Sequence, residues 1–444
     1  MAPAEPSAIE DQLSADDLRE AWLVLAPEER AEGFGLLPRA TAEDLFLSLD
    51  SREQAALLLA LAPGDRRSWI RLLPPDDAAD VIQEVPSEDR DGMLSLLDES
   101  TRKEVYALLA YAEDDAGGLM SPRYARLRPE MSVDEAIAYL RRQAKERLET
   151  IYYVYVLDAE QRLLGVVTFR ELFSAPSDKT VADIMRKDVV FAHEEMDQEA
   201  LGRLFASSRF LAIPVVDDER RVKGIVTLDD IVDVVQEEAT EDIQKMGGTE
   251  ALDAPYLQIG VAQMIRKRGG WLSALFLGEM LTATAMGYFE DQISRAVILA
   301  LFVPLIISSG GNSGSQATTL VVRAMALDEL KLRDWWRVIR REVFAGLGLG
   351  TILGVLGIAR ILLWQELFHV YGEHALPLAL TVGASLTGVV LWGTMAGSML
   401  PFVLRRIGFD PAIASAPFVA TVVDVSGVVI YFSVATVVLK GTLL

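Results

Sequence analysis

The most unusual chemical feature of this sequence is a single carboxylate inside a long apolar stretch. Asp424 lies within residues 420–439, ATVVDVSGVVIYFSVATVVL, which are long enough and apolar enough to cross a bilayer. An aspartate deep in a membrane helix costs roughly 2.5–3.5 kcal/mol even on lenient insertion scales, and such residues usually have a function. The first question is therefore what this protein gains by keeping Asp424.

A second concentration of carboxylates lies in the segment DDIVDVVQEEATEDIQKMGG at 229–248, which reads as a helix. Like charges at i, i+3 and i+4 spacing destabilise a helix unless a counterion binds. Hard divalent cations prefer carboxylate oxygens, so the pattern favours cation binding over a merely solvated helix. The acidic residues are Asp229, Asp230, Asp233, Glu237, Glu238, Glu241 and Asp242.

The composition limits the class of protein. The chain has 444 residues, a net charge of -23, no cysteine and three histidines. From the N-terminus to about residue 255 the chain is strongly acidic and reads as soluble. This acidic half argues against a nucleic-acid partner, because phosphates would be repelled. The absence of cysteine excludes disulfides and thiolate metal sites. The N-terminal residues show no signal peptide, so we expect the soluble half to stay in the cytoplasm.

Five segments are long and apolar enough to span a membrane. The connections alternate in charge: those before the first span, after the second and after the fourth are basic, and the other two are acidic. The positive-inside rule then places the N-terminal half in the cytoplasm and the C-terminus outside. The predicted spans are 270–289, 295–325, 341–364, 376–404 and 412–439.

Small and polar residues interrupt the second span. Gly310, Gly311 and Asn312 begin the run SGGNSGSQ inside an apolar segment, a pattern that is tolerated only where protein or a watery cavity satisfies the backbone. We predict that this run lines a pore or forms a hinge, with close helix packing as the alternative. For the glycines of the third span we predict close packing; these are Gly346, Gly350 and Gly354.

The soluble half contains a helical array followed by a repeat. Residues 10–118 read as short amphipathic helices punctuated by Leu-Pro or Ala-Pro, which suggests a small helical solenoid. The segment 155–173 then aligns with 214–232 at an offset of 59 positions. Each copy reads as a strand, a turn, a second strand ending in Gly-x-x-Thr, and a helix, with another helix before it.

The repeat looks like a tandem CBS-domain pair, a duplicated β-α-β-β-α module. In such pairs the Gly-x-x-Thr-x-x-Asp/Glu segment often holds a nucleotide, with the acid accepting from ribose hydroxyls and the threonine meeting phosphate. The corresponding acids here are Glu171 and Asp230. This motif is a specific indicator of the CBS module but only a weak indicator that a nucleotide binds.

Taken together, these motifs resemble the MgtE family of magnesium channels and transporters. The resemblance is carried by EDDAGGLM at 113–120, the CBS pair, EEATEDI at 237–243, SGGNSGSQAT and FDPAIASAPFVATVVDVSG. It implies a multidomain fold: an all-α N-terminal solenoid, an α/β CBS pair, a connecting plug helix and a five-helix transmembrane domain. The expected domains are 1–118, the CBS pair 119–235 (119–183 and 184–235), the plug 236–265 and the membrane domain 266–444.

The resemblance also implies a function and its residues. It implies a homodimer with a pore between the membrane domains, where Asp424 of each copy takes hydrated Mg²⁺. The alternative for Asp424 is an aspartate that is hydrogen-bonded between helices. Cytosolic Mg²⁺ would bind acidic inter-domain sites and close the pore. The candidate regulatory ligands are Asp44, Asp76, Asp80, Glu199, Asp230, Asp233, Glu238, Glu241, Asp242 and Asp410.

ATP is a further ligand that the resemblance implies for the CBS pair. The candidate residues are Arg170, Glu171, Phe210 and Tyr153, with Glu171 standing where relatives often carry aspartate. We expect a transport protein in the inner or plasma membrane and not an enzyme. The alternatives are a carrier of the same fold for Mn²⁺, Co²⁺ or Zn²⁺, an ion-coupled transporter, and a nucleotide-sensing receptor.

Overall fold

A computed structural model of the protein describes residues 14–440 except 23, 145–147 and 253, together with residue 442. The chain divides into two compact units, Met1–Gln236 and Glu237–Leu444. The first thirteen residues, at the start of the predicted domain 1–118, lie outside the described residues.

The N-terminal part of the first unit is an array of short helices, as the prolines predict. From the second helix onward, each helix begins twelve residues after the previous one, so the array is more regular than the spacing of the prolines indicates. The helices are α1 Ala15–Ala21, α2 Pro27–Leu36, α3 Arg39–Leu47, α4 Ser51–Ala60, α5 Pro63–Ile70, α6 Pro75–Glu84, α7 Ser87–Leu94 and α8 Glu99–Leu108.

Alternate helices of this array pack together: α2 on α4, α4 on α6, and α6 on α8. Their shared core contains Phe34, Phe46 and Trp69, whose rings meet edge-on or tilted at centroid distances of 4.7–6.5 Å. Burial of these rings stabilises helices that are too short to form alone.

Two β-α-β-β-α modules follow, which confirms the fold predicted from the repeat. In each module the first strand pairs in parallel with the second, and the second pairs antiparallel with the third. The elements are β1 Arg126–Leu127, α9 Val133–Gln143, β2 Tyr153–Leu157, β3 Leu163–Thr168, α10 Phe169–Ser174, α11 Val181–Ile184, β4 Ala192–His193, α12 Gln198–Ser208, β5 Ala212–Val216, β6 Val222–Thr227 and α13 Leu228–Met246.

The glycine of each Gly-x-x-Thr motif lies where another chain segment approaches the sheet closely. A Cβ on Gly165 would lie 2.8 Å from the carbonyl oxygen of Arg186, and one on Gly224 would lie 2.7 Å from that of Ser121. The two glycines occupy equivalent registers, opposite Val156 and Val215. The repeat therefore preserves glycine for a steric reason.

The second unit is helical and contains the membrane region. Four helical segments are long and apolar enough to cross a membrane, by length and composition within the described residues: Val297–Ala326, Leu332–Phe368, Gly372–Arg406 and Ala416–Val438. A further long helix covers the predicted span 270–289 but carries Glu279 in its apolar part and is not among the four. The helices are α14 Val261–Tyr288, α15 Glu290–Arg295, α16 Val303–Ala326, α17 Trp335–Phe368, α18 Ala375–Arg406 and α19 Ala416–Val438, with 3₁₀ turns at Val297–Phe302, Leu332–Asp334, Gly372–His374 and Pro411–Ile413.

The predicted connecting helix 236–265 differs from the structure. Helix α13 ends at Met246 and α14 begins at Val261, and the described residues between them are not helical. The ending follows from Gly247 and Gly248, because Gly248 adopts a left-handed φ of 76° that terminates a helix at little cost.

Helix α18 is the most buried membrane helix and packs on α16, α17 and α19. The glycines of α17 face it, as the sequence predicts. A Cβ on Gly350 would lie 2.8 Å from the backbone of Thr387, and one on Gly354 would lie 2.7 Å from the carbonyl oxygen of Gly383. Small residues therefore set the close approach of these helices.

Candidate metal-ion sites

Asp424 lines a cavity between membrane helices. It lies on α19, whose start is fixed by the Ser415 side chain accepting from the Phe418 N–H at 3.3 Å. The cavity has a volume of about 440 Å³. Its lining residues come from α14, α16 and α19: Thr282, Met286, Val303, Pro304, Ile307, Ser308, Gly311, Asn312, Ser315, Ala420, Asp424 and Val428.

The polar run of the second span lies in the middle of α16, and its residues divide between two faces. Gly310 and Gly314 pack against Val389 and Val419, whose methyl groups would lie 2.5 and 2.8 Å from an added Cβ. Asn312, together with Gly311 and Ser315 on either side, lines the cavity. The helix is continuous through the run, and its residues both line the cavity and pack against α18 and α19.

The cavity suits a hydrated hard cation. Asp424 supplies a carboxylate, Asn312 an amide oxygen, and Ser308 and Ser315 supply hydroxyl groups, which are the ligand types that Mg²⁺ and its waters accept. Six waters at about 30 Å³ each occupy about 180 Å³, less than the cavity volume. The sequence pointed to Asp424 and the polar run separately, and in the structure residues of both line one cavity.

Glu279 of α14 is a second acid close to this cavity. It lies near enough to Asp424 to interact with it electrostatically, although it does not line the cavity. The sequence gave no reason to place Glu279 beside Asp424.

A separate group of carboxylates lies within the first unit. Asp76 and Asp77, in the first turn of α6, interact electrostatically with Glu149 and with Asp229 and Asp230 at the start of α13. We call these five residues, with Asp233, the Asp76 cluster. Asp76 is only 6% exposed, and its Oδ1 has no hydrogen-bond partner.

Burial and mutual repulsion change the protonation of the Asp76 cluster. Burial, followed by the charges of Glu149, Asp77 and Asp230, raises the pKa of Asp76 to about 8. Burial and the charge of Glu149 raise the pKa of Asp77 to about 6. Burial also raises the pKa of Asp230 to about 7, although a hydrogen bond from Thr227 opposes the shift. The neighbouring charges that raise these three pKa values are all carboxylates.

The structure brings together only some of the predicted regulatory ligands. Asp76, Asp230 and Asp233 belong to the Asp76 cluster, and Asp80 lies one turn after Asp76 on α6. Glu199 instead pairs with Arg203 at 2.6 Å on α12, and Asp44 is exposed on α3. Sequence reasoning missed Glu149, which lies in a loop with no motif around it.

No direct metal site is preformed among the described residues. No group of three or more histidine, aspartate or glutamate side chains is arranged there to hold a metal ion. Mg²⁺ usually keeps several of its waters, so water-mediated contacts remain the mode that this arrangement fits.

Two other predicted ligands, Glu241 and Asp410, meet at a lysine. Lys245 Nζ lies 2.5 Å from Glu241 Oε1 and 2.7 Å from Asp410 Oδ2. Burial opposes the shift, but hydrogen bonds and charge attraction to these two carboxylates raise the pKa of Lys245 above its usual range. Sequence reasoning named both carboxylates as candidate Mg²⁺ ligands and did not consider Lys245. Glu238 and Asp242 lie on the same helix, α13.

Some of the candidate nucleotide-binding residues already make contacts with neighbouring side chains. Glu171 Oε2 accepts from the Thr168 hydroxyl at 2.8 Å, and the neighbouring oxygen Oε1 pairs with Arg186 at 2.5 Å. Thr168 and Glu171 therefore form a capping box at the start of α10. Tyr153 and Phe210, from different modules, meet edge-to-face with centroids 5.8 Å apart.

Arg170 is exposed at the start of α10. A nucleotide phosphate could therefore reach its guanidinium without displacing a partner shown in the described structure. The aromatic pair Tyr153 and Phe210 offers a ring face for a base. Arg186, which sequence reasoning missed, competes for Glu171.

Comparison with known proteins agrees with this organisation. Residues 303–434 match the MgtE family described as a divalent cation transporter. Residues 13–114 match the MgtE intracellular N domain, and residues 116–178 and 181–237 match the CBS domain.

This chain is also similar to named relatives over most of their length and to one solved structure of a cytosolic domain. The chain is 42% identical over 434 residues to the magnesium transporter MgtE of Thermus thermophilus, covering 97% of this chain and 94% of the relative. It is 35% identical to the magnesium transporter MgtE of Enterococcus faecalis, over 76% and 72% of the two chains. A crystal structure of the cytosolic domain of the Mg²⁺ channel MgtE in complex with ATP is 43% identical, covers 50% of this chain and 91% of that chain, and gives a TM-score of 0.46. This chain belongs to the MgtE family of divalent cation transporters.

Proposed function

We propose that this protein carries Mg²⁺ across a cell membrane through a path lined by Asp424. The observation that carries the proposal is the shared cavity of Asp424, Asn312 and two serines. It is lined by α14 together with α16 and α19, and the last two are long and apolar enough to span a bilayer. Membership of the family supports the class of substrate. Two relatives of high coverage are named magnesium transporters.

The path lies at the axis of a homodimer in this proposal. Two copies of Asp424 would face each other there, and a divalent ion would cancel their repulsion. Mg²⁺ is small and gives up water reluctantly, so a wide site that contacts its waters selects by the size of the hydrated ion. This explains why an aspartate is retained in an apolar helix.

Cytosolic Mg²⁺ closes the path in this proposal. The Asp76 cluster and the acids of α13 repel one another when no cation is bound, which favours a loosened arrangement. Mg²⁺ binds best where the carboxylates are close together, so rising Mg²⁺ shifts the population towards the compact, closed state. The raised pKa values of Asp76 and Asp230 support this role, because burial and neighbouring carboxylates raise both values.

ATP is proposed as a modulator at the CBS pair. Tyr153 and Phe210 would contact the base and Arg170 the phosphates, while Glu171 would have to exchange Arg186 for a ribose hydroxyl. The proposed setting is the inner or plasma membrane. The N-terminal half would be cytoplasmic, as the basic connections predict.

A carrier of other divalent ions is the alternative function. Mn²⁺ and Co²⁺ accept oxygen ligands as well as nitrogen ligands, so the residues of the cavity do not exclude them. Zn²⁺ is disfavoured because no histidine lines the cavity in the described structure and the chain has no cysteine.

Reconstituted protein in vesicles with an internal Mg²⁺-sensitive dye tests the proposed function. We expect Mg²⁺ uptake by the wild type and none by Asp424→Ala or Asp424→Asn, with normal assembly of both variants on size-exclusion chromatography. Asp291→Ala removes an exposed acid outside the cavity and should keep full flux. Undiminished Mg²⁺ flux in both Asp424 variants would contradict the proposal. If Mn²⁺ or Co²⁺ competes for uptake more strongly than Mg²⁺ itself does, the carrier of other divalent ions would be favoured.

A further inference from the structure

The end of α13 is joined to the segment that begins α19. Lys245 contacts Asp410, whose Oδ1 also accepts from the Ala412 N–H at 2.8 Å and so begins the 3₁₀ turn Pro411–Ile413. Next to Lys245, Met246 packs against Ala412 and Ala414. The contact is therefore a small interface with one ammonium group at its centre.

The same interface continues to the first turn of the helix that carries Asp424. An added Cβ on Gly248 would lie 3.0 Å from Trp271 and 3.2 Å from Pro417, so the backbone at Gly248 lies close to both. Trp271 Nε1 donates to Ser415 Oγ at 3.3 Å. Since Asp424 follows Ala416 by about 12 Å along the helix axis, movement of this interface moves the start of the helix that lines the cavity.

We infer that Lys245 is a built-in counter-cation that holds the end of α13 to residues 410–415 without a bound metal ion. The inference rests on the proposed function, in which Mg²⁺ bound to cytosolic carboxylates closes the path. Lys245 neutralises most of the repulsion between Glu241 and Asp410 and donates to both. Mg²⁺ at this place would have to displace an ammonium group that is already hydrogen-bonded to both carboxylates. The Mg²⁺ dependence of closure then comes from the other acids of α13 and from the Asp76 cluster.

The absence of cysteine from the chain allows a direct test. Met246→Cys with Ala412→Cys introduces one pair across the interface in the full-length protein, and disulfide formation under mild oxidation reports contact. With Lys245 present, we expect the same cross-linking rate in EDTA and in Mg²⁺. With Lys245→Gln, we expect cross-linking in EDTA to be slower by about tenfold, the effect of about 1.4 kcal/mol, and to recover when Mg²⁺ is added.

Three variants separate charge from packing. Lys245→Arg keeps the charge and should cross-link like the wild type. Lys245→Gln with Asp410→Asn removes the repulsion and should recover in EDTA without Mg²⁺. Lys331→Gln removes a lysine from an exposed pair with Asp328 at 3.2 Å and should change nothing.

The inference is overturned if Lys245→Gln cross-links in EDTA as fast as the wild type. It is also overturned if the double variant stays as slow as Lys245→Gln, because the role of Lys245 would then be packing. Neither result bears on the proposed function, which is judged by Mg²⁺ flux of the wild type. Loss of Mg²⁺ flux in the wild type would leave the cross-linking result intact as a property of the fold.

Discussion

At the scale of single residues, Asp76 is the most informative carboxyl group outside the membrane helices. Its pKa of about 8, against an ordinary value of 3.8, means that the folded protein keeps a proton at neutral pH that the unfolded chain releases. The free energy of unfolding therefore falls as pH rises from about 4 to about 8, because folding must then take up a proton. Mg²⁺ bound at the Asp76 cluster would offset this loss.

The first prediction at this scale concerns Asp76→Asn. At pH 8 without Mg²⁺, we expect the free energy of unfolding to rise by about 1–3 kcal/mol, since a buried unpaired carboxylate is removed. Thermal unfolding of the full-length protein would measure the change, with Asp178→Asn in an exposed loop as the control. With Mg²⁺ the difference should shrink, because the variant binds the ion less well. A destabilised variant under both conditions would contradict this account of the cluster.

Single residues also show why the site was only partly predictable. Asp424 and the acids of α13 stand out because their charges conflict with an apolar or helical setting. Glu149 and Lys245 occupy ordinary sequence, and only the fold places Glu149 beside Asp76 and Lys245 beside Asp410. Contacts between residues far apart in sequence leave no local signal, so charged neighbours such as these are the part of the site that sequence reasoning misses.

At the scale of elements, local capping chemistry determines where helices begin. The prolines at 38, 63, 74 and 86 marked helix starts in the sequence, but the twelve-residue step also uses aspartates. Asp50 accepts from the Glu53 N–H at 2.7 Å, and Asp98 accepts from the Thr101 N–H at 3.0 Å. Those caps replace proline at two steps of the array. The regular period was therefore readable only once both kinds of cap were counted.

The membrane helices allow a matched test of glycine packing. Gly350 and Gly348 lie on the same helix, but a Cβ at Gly350 would lie 2.8 Å from the Thr387 backbone, whereas nothing lies within 4 Å at Gly348. We expect Gly350→Ala to lower the melting temperature, because α17 and α18 must separate. Gly348→Ala should leave it unchanged or raise it slightly. Equal effects in a thermal-shift measurement would argue against close α17–α18 packing.

At the scale of the whole molecule, the two acidic features, Asp424 and the Asp76 cluster with α13, lie in different parts of the chain. Asp424 lines a cavity with polar residues of α16, where we propose that its carboxylate attracts cations from an aqueous path. The Asp76 cluster and α13 lie in sequence before the membrane helices, and we propose that their carboxylates respond to the concentration of the same ion. The fold class and the module order followed from sequence patterns, whereas the cavity required the packing of α14, α16 and α19.

The central claim is that one ion, Mg²⁺, is both carried and used as the closing signal. Patch-clamp recording of the reconstituted wild type, with Mg²⁺ varied on the cytosolic face, tests this claim most directly. The account predicts a Mg²⁺ current that falls as cytosolic Mg²⁺ rises from micromolar to millimolar. Joint replacement of Glu238, Glu241 and Asp242 by neutral residues should leave the current open at millimolar Mg²⁺. A wild-type current that does not change with cytosolic Mg²⁺ would contradict the account.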